Sequence, residues 1–416
     1  MTVSTPHAGA AAFTERLLPG ERSHDAAMMR LAIAAAETAR GATSPNPLVG
    51  AVIVDESVSP PQVLATGFHA QAGRAHAEVD ALQKLAQTGA SATKKTLYVT
   101  LEPCNHVGRT GKCTDAILAA GLARVVIATA DPNPHVAGGG AGRLREAGLD
   151  VLVGVCEPQC QWQNRGFLRW LKSGRPQLLL KAAISLDGRI APQAPPGTVI
   201  GPRWLTGGPA RQKAHQLRAA SDAILVGAGT VLADDPQLTV RLFDREVVGQ
   251  PLRVILDGAL RVPKTAKALG PGSLLVTCES SFQAQPDRVA ALQSTGTEVI
   301  PLPLPSSPDV ANRRGAATDV DLHAVLRLLG QRQVLYALCE GGGVLHGALL
   351  ESGLCDEAAL FVAPLFLGDG GVPLLRHLAY PDVTAAAWIE TPQYSQLGDD
   401  LFVTGALRRG GFAPSA

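Results

Sequence analysis

Apolar and polar positions along the chain fall into short blocks with two different periods. His24 to Arg40 (HDAAMMRLAIAAAETAR) spaces its apolar residues at three and four, which predicts a helix. Leu48 to Val54 (LVGAVIV) is a β-branched run and predicts a strand. The same reading gives a helix over His76 to Ala86, a strand over Thr96 to Thr100, and a helix starting at Thr114 to Ala120. Strands follow at Arg124 to Ala128 and Asp150 to Val155. Residues 156–176 (CEPQCQWQNRGFLRWLKSGRP) predict a connecting helix and turn. A second series of strands begins with Gln177 to Ile184. It continues at Asp222 to Val226, Leu252 to Leu256, Ser273 to Val276, Glu298 to Ile300, Val334 to Cys339 and Ala358 to Ala363, with helices between most of them. Such alternation predicts layered α/β domains. The Pro/Ser-rich stretch 301–316 reads as a surface loop, and no internal repeat is evident. The expected division is a flexible tail over 1–22, a first domain over 23–155, a linker over 156–176 and a second domain over 177–412.

Composition narrows the function classes. A chain of 416 residues is long enough for two domains at roughly 100–200 residues each. The formal net charge of +1 provides no global positive field, so no nucleic-acid partner is expected. The first residues lack the basic start and apolar core of a signal peptide, and no apolar run reaches the ~18–20 residues of a membrane span. Seven cysteines, an odd number, argue against a disulfide framework and for a reducing, cytoplasmic setting. Clustered cysteines are then candidates for metal ligation.

One cluster has the chemistry of a catalytic metal site. His76-Ala77-Glu78 is followed by Pro103-Cys104, and Cys113 comes nine residues later. Zinc takes imidazole and thiolate ligands, and a catalytic site uses three with water in the fourth place. His76, Cys104 and Cys113 supply three. Glu78 stands at the start of a helix, two residues from His76, placed to reach the water without ligating metal. Zinc brings the pKa of its water from ~15.7 toward ~7, and the resulting hydroxide attacks an amino-bearing ring carbon while Glu78 moves protons. H-x-E followed by P-C-x-x-C is the zinc deaminase pattern. Here the second half is Cys-x8-Cys instead. A closed structural zinc site with His106 as fourth ligand is the competing reading, and Cys156 with Cys160 is read as helix packing rather than a second metal pair.

The wider motif explains the long inter-cysteine loop. Pro45-Asn46-Pro47 with Val49-Gly50, then His76-Ala77-Glu78, then Thr100-Leu101-Glu102-Pro103-Cys104, then Gly108-Arg109-Thr110 with Cys113, then Asp131-Pro132-Asn133-Pro134 occur in order. This series closely resembles the bifunctional riboflavin-biosynthesis deaminase–reductase family over roughly residues 24–410. The resemblance implies a cytidine-deaminase-like three-layer domain followed by a dihydrofolate-reductase-like domain. It implies deamination of 2,5-diamino-6-ribosylamino-4(3H)-pyrimidinone 5′-phosphate, then NADPH-dependent reduction of the ribosyl group to ribityl. It implies Zn2+ on His76, Cys104 and Cys113, the proton shuttle on Glu78, and a homo-oligomer. Within the loop, Arg109 or His106 is suited to pair with the substrate phosphate, and Asn46 to read the pyrimidine edge.

The second domain lacks a G-x-G-x-x-G after its first strand, so an ordinary dinucleotide fold is not expected. Gly341-Gly342-Gly343 instead follows the strand VLYALCE and precedes a helix, a place where backbone amides can approach a phosphate. Further motifs match the family: Ser185-Leu186-Asp187-Gly188, Trp204 with Thr206, Arg218, Thr230 through Pro236, and Glu340 with its glycines. By that resemblance Ala183, Trp204, Thr230, Asp234, Gly342, Gly343, Val344, Leu345, His346, Gly347 and Ala348 face NADPH. Pro202, Arg218, Leu238, Arg241 and Glu340 face the substrate. Pro202 replaces a family serine and has no donor to offer a ligand oxygen, and Gly139 stands where an arginine is common. A deaminase with a catalytically inactive second domain is the alternative reading. A base deaminase of nucleic acid is disfavoured by the charge and by 4% aromatic content, because strand binding uses basic grooves and stacking rings.

Overall fold

The computed structural model describes residues 23–89, 94–106, 111–132, 139–192, 204–242, 249–303 and 320–411. The expected tail 1–22, Arg109 and Pro202 lie outside the described residues. Contacts divide the chain into two units, residues 1–39 with 48–163 and residues 40–47 with 164–416. The change of unit between Gln163 and Asn164 falls inside the stretch read as a linker, which forms two helices.

The first unit contains β1 (Gly50–Asp55), β2 (Gln62–Phe68), β3 (Lys95–Leu101), β4 (Arg124–Thr129) and β5 (Asp150–Val153). They form one sheet in the order β2-β1-β3-β4-β5. β1 runs antiparallel to both β2 and β3, and β3, β4 and β5 are mutually parallel. Five helices accompany it: α1 (His24–Glu37), α2 (Ala77–Thr88), α3 (Cys113–Ala119), α4 (Gly139–Glu146) and α5 (Glu157–Gln163). The central strands are apolar on both faces, as strands covered on two sides must be. Ala51, Ile53, Leu97, Val99, Val125 and Ile127 pack with Ala77, Ala81 and Leu85 of α2. The alternate residues Val52, Val54, Tyr98, Val126 and Ala128 pack with Ala26, Met29 and Ala32 of α1. The result is a three-layer α/β/α unit. Cys156 and Cys160 are buried in that second layer against α1.

The second unit begins with α6 (Arg165–Ser173) and centres on a nine-stranded sheet. Its strands are β6 (Gln177–Ser185), β8 (Ala223–Gly227), β9 (Leu252–Leu256), β10 (Ser273–Cys278), β11 (Glu298–Leu302), β12 (Tyr336–Cys339), β13 (Glu357–Ala363), β15 (Ala387–Leu397) and β16 (Asp400–Arg409). The order is β11-β10-β9-β8-β12-β6-β13-β16-β15. Everything from β11 to β13 is parallel, and the β15–β16 hairpin closes the edge antiparallel. A small two-stranded sheet pairs β7 (Arg189–Ala191) with β14 (Val372–Pro373). The helices that matter for the site are α7 (Gly208–Ala219), α8 (Ala228–Asp234), α11 (Leu322–Gln331) and α12 (Gly343–Glu351), the last two packing one face of the sheet. Between α8 and α11 lie α9 (Glu279–Ala284) and α10 (Pro286–Gln293). The opposite face is filled by Val231, Leu260, Val262, Val289 and Leu292. Parallel strands aim their C-terminal ends the same way, so the loops after β6, β8, β9 and β12 share one edge.

Candidate functional site

In the first unit, three loops converge on one point. His76 is the N-cap of α2, with extended backbone (φ −70°, ψ 159°). Cys104 lies three residues beyond β3, and Cys113 opens α3. His76 Nδ1 stands 3.5 Å from Cys104 Sγ and 3.2 Å from Cys113 Sγ. The three ligand atoms all lie within 4.8 Å of one another. The Cys113 amide donates to Cys104 Sγ at 3.4 Å and the Thr114 amide to the Cys104 carbonyl at 3.3 Å, which ties the two cysteine loops together. The Cys104 thiol is held well below its usual range, first by its contact with the Cys113 thiol and then by His76. His76 is pushed up, chiefly by the Cys104 sulfur and also by Glu78.

An imidazole nitrogen and two sulfurs at this spacing suit zinc, with a fourth position left for water. No fourth His, Cys, Asp or Glu joins the group among the described residues. His106 is exposed. Glu78 is buried in the first turn of α2, and burial pushes its carboxyl pKa up. A carboxyl so placed is fitted to accept and return a proton. His69 escaped the sequence reading. Its ring stands edge-on to His76, centroids 5.6 Å apart, and Nδ1 contacts the Ala75 carbonyl at 3.0 Å. Its spacing of seven residues from His76 was the available signal. Glu102 is a second omission: its carboxylate accepts from the Asp131 and Ala141 amides and so braces the segment carrying Cys104. Asn46 lies in the stretch 40–47 that associates with the second unit, its amide donating to the Thr43 carbonyl.

In the second unit a buried charge cluster and a cavity share the C-terminal edge of the sheet. Arg218 of α7 holds Glu340, which follows β12, through Nε to Oε1 at 2.6 Å and Nη2 to Oε2 at 2.9 Å. Arg218 also donates to the Thr239 carbonyl. Lys181 of β6 places Nζ 3.6 Å from Glu340 Oε2. Two cations outweigh the burial of Glu340 and hold its carboxyl down at about 2. The Arg241 amide donates to His215 Nδ1 at 3.2 Å, and burial with two neighbouring arginines lowers His215 to about 4. Lys181 and His215 are residues the sequence reading passed over. A lone lysine inside the apolar run QLLLKAAI, and a histidine three residues before Arg218 on one helix, were their signals. Leu238 is buried with φ +54°. Asp187 accepts from the Leu367 and Gly368 amides at 3.0 and 2.7 Å and from Ser185, which depresses its pKa to about 2.

The adjacent cavity measures about 380 Å³, a size suited to a small-molecule group. Thr230, Asp234, Gly342, Gly343, Val344 and Leu345 line it. Ala183, Trp204, His346, Gly347 and Ala348 do not. Trp204 is 66% exposed with the Arg211 guanidinium over its ring, whereas His346, Gly347 and Ala348 are buried in α12. The N-terminus of α12 opens toward the cavity, and its free amides suit a phosphate. Glycine is required there: a Cβ on Gly343 would stand 2.4 Å from the Pro373 carbonyl oxygen.

Comparison with known proteins agrees with both halves. Residues 22–129 match the cytidine and deoxycytidylate deaminase zinc-binding region, and residues 176–388 match the RibD C-terminal domain. The riboflavin biosynthesis protein RibD of Aquifex aeolicus is 36% identical over 386 residues, covering 92% of this chain and 98% of its own. That of Bacillus amyloliquefaciens is 38% identical over 387 residues, covering 92% and 96%. Among solved structures, Acinetobacter baumannii RibD superposes with a TM-score of 0.77 at 34% identity, covering 92% of this chain and 99% of that one. A Thermotoga maritima protein described as a diaminohydroxyphosphoribosylaminopyrimidine deaminase/5-amino-6-(5-phosphoribosylamino)uracil reductase gives 0.73 at 31% identity, covering 92% and 98%. A zinc-binding deaminase unit joined to a RibD-type reductase unit, in one chain of matching length, leaves one assignment: the chain belongs to the RibD family of bifunctional deaminase–reductases of riboflavin biosynthesis.

Proposed function

We propose that the first unit deaminates 2,5-diamino-6-ribosylamino-4(3H)-pyrimidinone 5′-phosphate. The second then reduces the ribosyl group of the product with NADPH to give 5-amino-6-ribitylaminouracil 5′-phosphate. The observation that carries the first step is the convergence of His76 Nδ1, Cys104 Sγ and Cys113 Sγ within 4.8 Å beside the buried Glu78. Those three residues hold Zn2+. The ion supplies a Lewis acid that brings the pKa of water toward ~7. Glu78 takes the proton that water gives up and delivers it to the ring nitrogen. It then carries the second proton to the departing amine, which leaves as ammonia. His106 and Arg109 are assigned to the substrate phosphate.

In the second unit, NADPH supplies the hydride and the protein supplies position. The amides opening α12, with Thr230 and Asp234, line the cavity assigned to it. Ala183 and Trp204 complete the assignment. Glu340, fixed by Arg218 and Lys181, presents an ionised acceptor to pyrimidine N–H groups, and Leu238 and Arg241, assigned to the same substrate, flank Thr239, whose carbonyl accepts from Arg218. The ordered Arg218–Glu340–Lys181 cluster favours an active second unit over an inert one. We place the protein in the cytoplasm as a homo-oligomer, with domains 23–155 and 177–412 flanking the connecting stretch 156–176.

The test is direct. Pure protein is incubated with the diaminopyrimidinone ribotide, with and without NADPH, and the products are identified by mass. Deamination alone without NADPH, and the ribityl product with it, is the expected result. Absence of any mass change would sink the reading.

A further inference from the structure

Residues 235–241 follow α8 and belong to no helix or strand. Other side chains hold them instead. Asp235 and Leu238 both take the left-handed conformation, at φ +41° and +54°. Residues other than glycine avoid that conformation, and it persists where the surroundings over-determine it. Leu238 commits its side chain to the core beside Ile224, Val226 and Val231. The three backbone units after it are each fastened by a side chain. Arg218 Nη1 donates to the Thr239 carbonyl at 2.8 Å. Gln250 takes both sides of Val240: its Oε1 accepts from the Val240 amide at 2.7 Å, and its Nε2 donates to the Val240 carbonyl at 3.3 Å. His215 Nδ1 accepts from the Arg241 amide at 3.2 Å. The Arg241 guanidinium turns back on the same segment, Nη1 donating to Gln237 Oε1 at 3.0 Å.

His215 and Arg218 stand three residues apart on α7 and so share a face of the helix. They supply opposite chemistries to the segment. A guanidinium can only donate, and it meets a carbonyl. An amide needs an acceptor, and an imidazole offers one only when it is neutral. Burial, followed by the charges of Arg218 and Arg241, lowers His215 to about 4; Lys181 acts in the same sense and Glu340 against it. At neutral pH the ring is therefore uncharged, with its proton on Nε2 and the Nδ1 lone pair on the Arg241 amide. A lysine or arginine at this position would have no lone pair to give.

We propose that His215 is a positioning residue of the reductase: its Nδ1 acceptor, with the Gln250 clamp one residue earlier, fixes the Thr239–Arg241 backbone so that Leu238 and Arg241 meet the pyrimidine ribotide. The proposal rests on the reductase reading above. His215 acts through the segment and not on the reacting atoms. The full-length zinc-loaded protein is assayed for NADPH oxidation on the deaminated ribotide, as wild type, His215→Leu, His215→Asn and Gln250→Leu. Leucine has no acceptor. Asparagine places Oδ1 where the imidazole has Nδ1, one bond from Cγ, and keeps the acceptor. Losing a hydrogen bond that water can partly replace should raise the KM for the ribotide about 3- to 10-fold in His215→Leu. Turnover and the KM for NADPH should stay within about twofold, because what is lost is binding at one substrate only. Gln250→Leu should show the same split, and His215→Asn should return the ribotide KM to within about twofold of wild type. An unchanged ribotide KM in His215→Leu overturns the proposal. So does an equal rise in both Michaelis constants, or a His215→Asn variant as impaired as His215→Leu, since either marks a residue that only holds the fold. A wild type that oxidises no NADPH on the deaminated ribotide removes the reductase reading itself, and the proposal with it.

Discussion

Arg218 and Glu340 satisfy each other across the edge of the sheet, through two parallel hydrogen bonds of 2.6 and 2.9 Å between side chains that are 14% and 9% exposed. The pairing revises how each residue works. Read singly, both residues were expected to face the substrate. Paired, the guanidinium spends two donors on fixing the carboxylate and a third on the Thr239 carbonyl. Its main service is to keep Glu340 ionised and oriented. Breaking a buried pair by removing one partner costs about 3–5 kcal/mol, because the other charge is left without its partner. Arg218→Ala should lower the denaturation midpoint of the second unit and abolish reduction while ammonia release persists. Arg218→Lys, which cannot form the fork, should restore stability more than turnover. Equal reductase rates in Arg218→Ala and wild type would refute this.

Glu78 is the group whose loss separates metal binding from chemistry. It lies beside the three-residue group without belonging to it. Glu78→Gln keeps the shape and removes the proton carrier. Zinc content should stay near one per chain while ammonia release falls about 10²- to 10⁴-fold, the usual worth of a positioned acid–base group. Loss of zinc together with activity would instead mean that Glu78 builds the site.

Removing the metal should divide the two reactions. A chelator that strips zinc should stop ammonia release. Reduction should continue when the deaminated ribotide is supplied with NADPH, because none of the reductase groups described above takes part in the zinc cluster. Mass analysis of both products in the same tube reads the outcome, and a reductase that also stops would show that the second unit depends on the metal.

The buried strands were legible because two-sided burial writes itself as an apolar run: β1, β3, β4, β9 and β13 were all anticipated within a residue or two. β2 was not, since as an edge strand it exposes Gln62, Val63 and Thr66 and breaks its pattern at Gly67. The β15–β16 hairpin was missed for the same reason, its residues being mostly half-buried or exposed. The metal site was readable because His76 and Glu78 stand two residues apart at the start of α2 and the two cysteines are only nine residues apart. The Arg218–Glu340 pair was not readable as a pair. Its partners are 122 residues apart, and only the β8-β12-β6 neighbourhood brings them together.

Two glycines on α12 test how the cavity is floored. A Cβ at Gly347 would stand 2.1 Å from the Arg376 carbonyl oxygen, and one at Gly343 2.4 Å from that of Pro373. Neither neighbour is a flexible side-chain tip, so the 372–376 segment must move. Gly347→Ala should destabilise the second unit by about 1–3 kcal/mol, the cost of overpacking, measured by denaturant melts. Gly343→Ala should in addition weaken NADPH binding, because the displaced helix start lines the cavity. A stable Gly347→Ala variant would show that the segment is freer than its packing implies.

His346 makes stability depend on pH. It is 1% exposed in α12, and neither ring nitrogen reaches hydrogen-bonding geometry with an acceptor, although the Leu374 carbonyl lies nearby. Burial therefore favours the neutral ring and lowers its pKa from 6.5 to about 4. The unfolded chain then binds the proton first as pH falls. Above pH 6.5 both states are neutral and the full stability is present. Between 6.5 and about 4 the unfolded state carries more protons, so unfolding free energy drops as acid is added. One such group accounts for about 3 kcal/mol over that window. His346→Leu, similar in bulk and without a titratable ring, should melt at a higher denaturant concentration than wild type at pH 5. At pH 7.5 it should differ little. If the wild type and His346→Leu lose stability in parallel from pH 7 to 4.5, the imidazole is not the proton acceptor and the slope belongs to other groups.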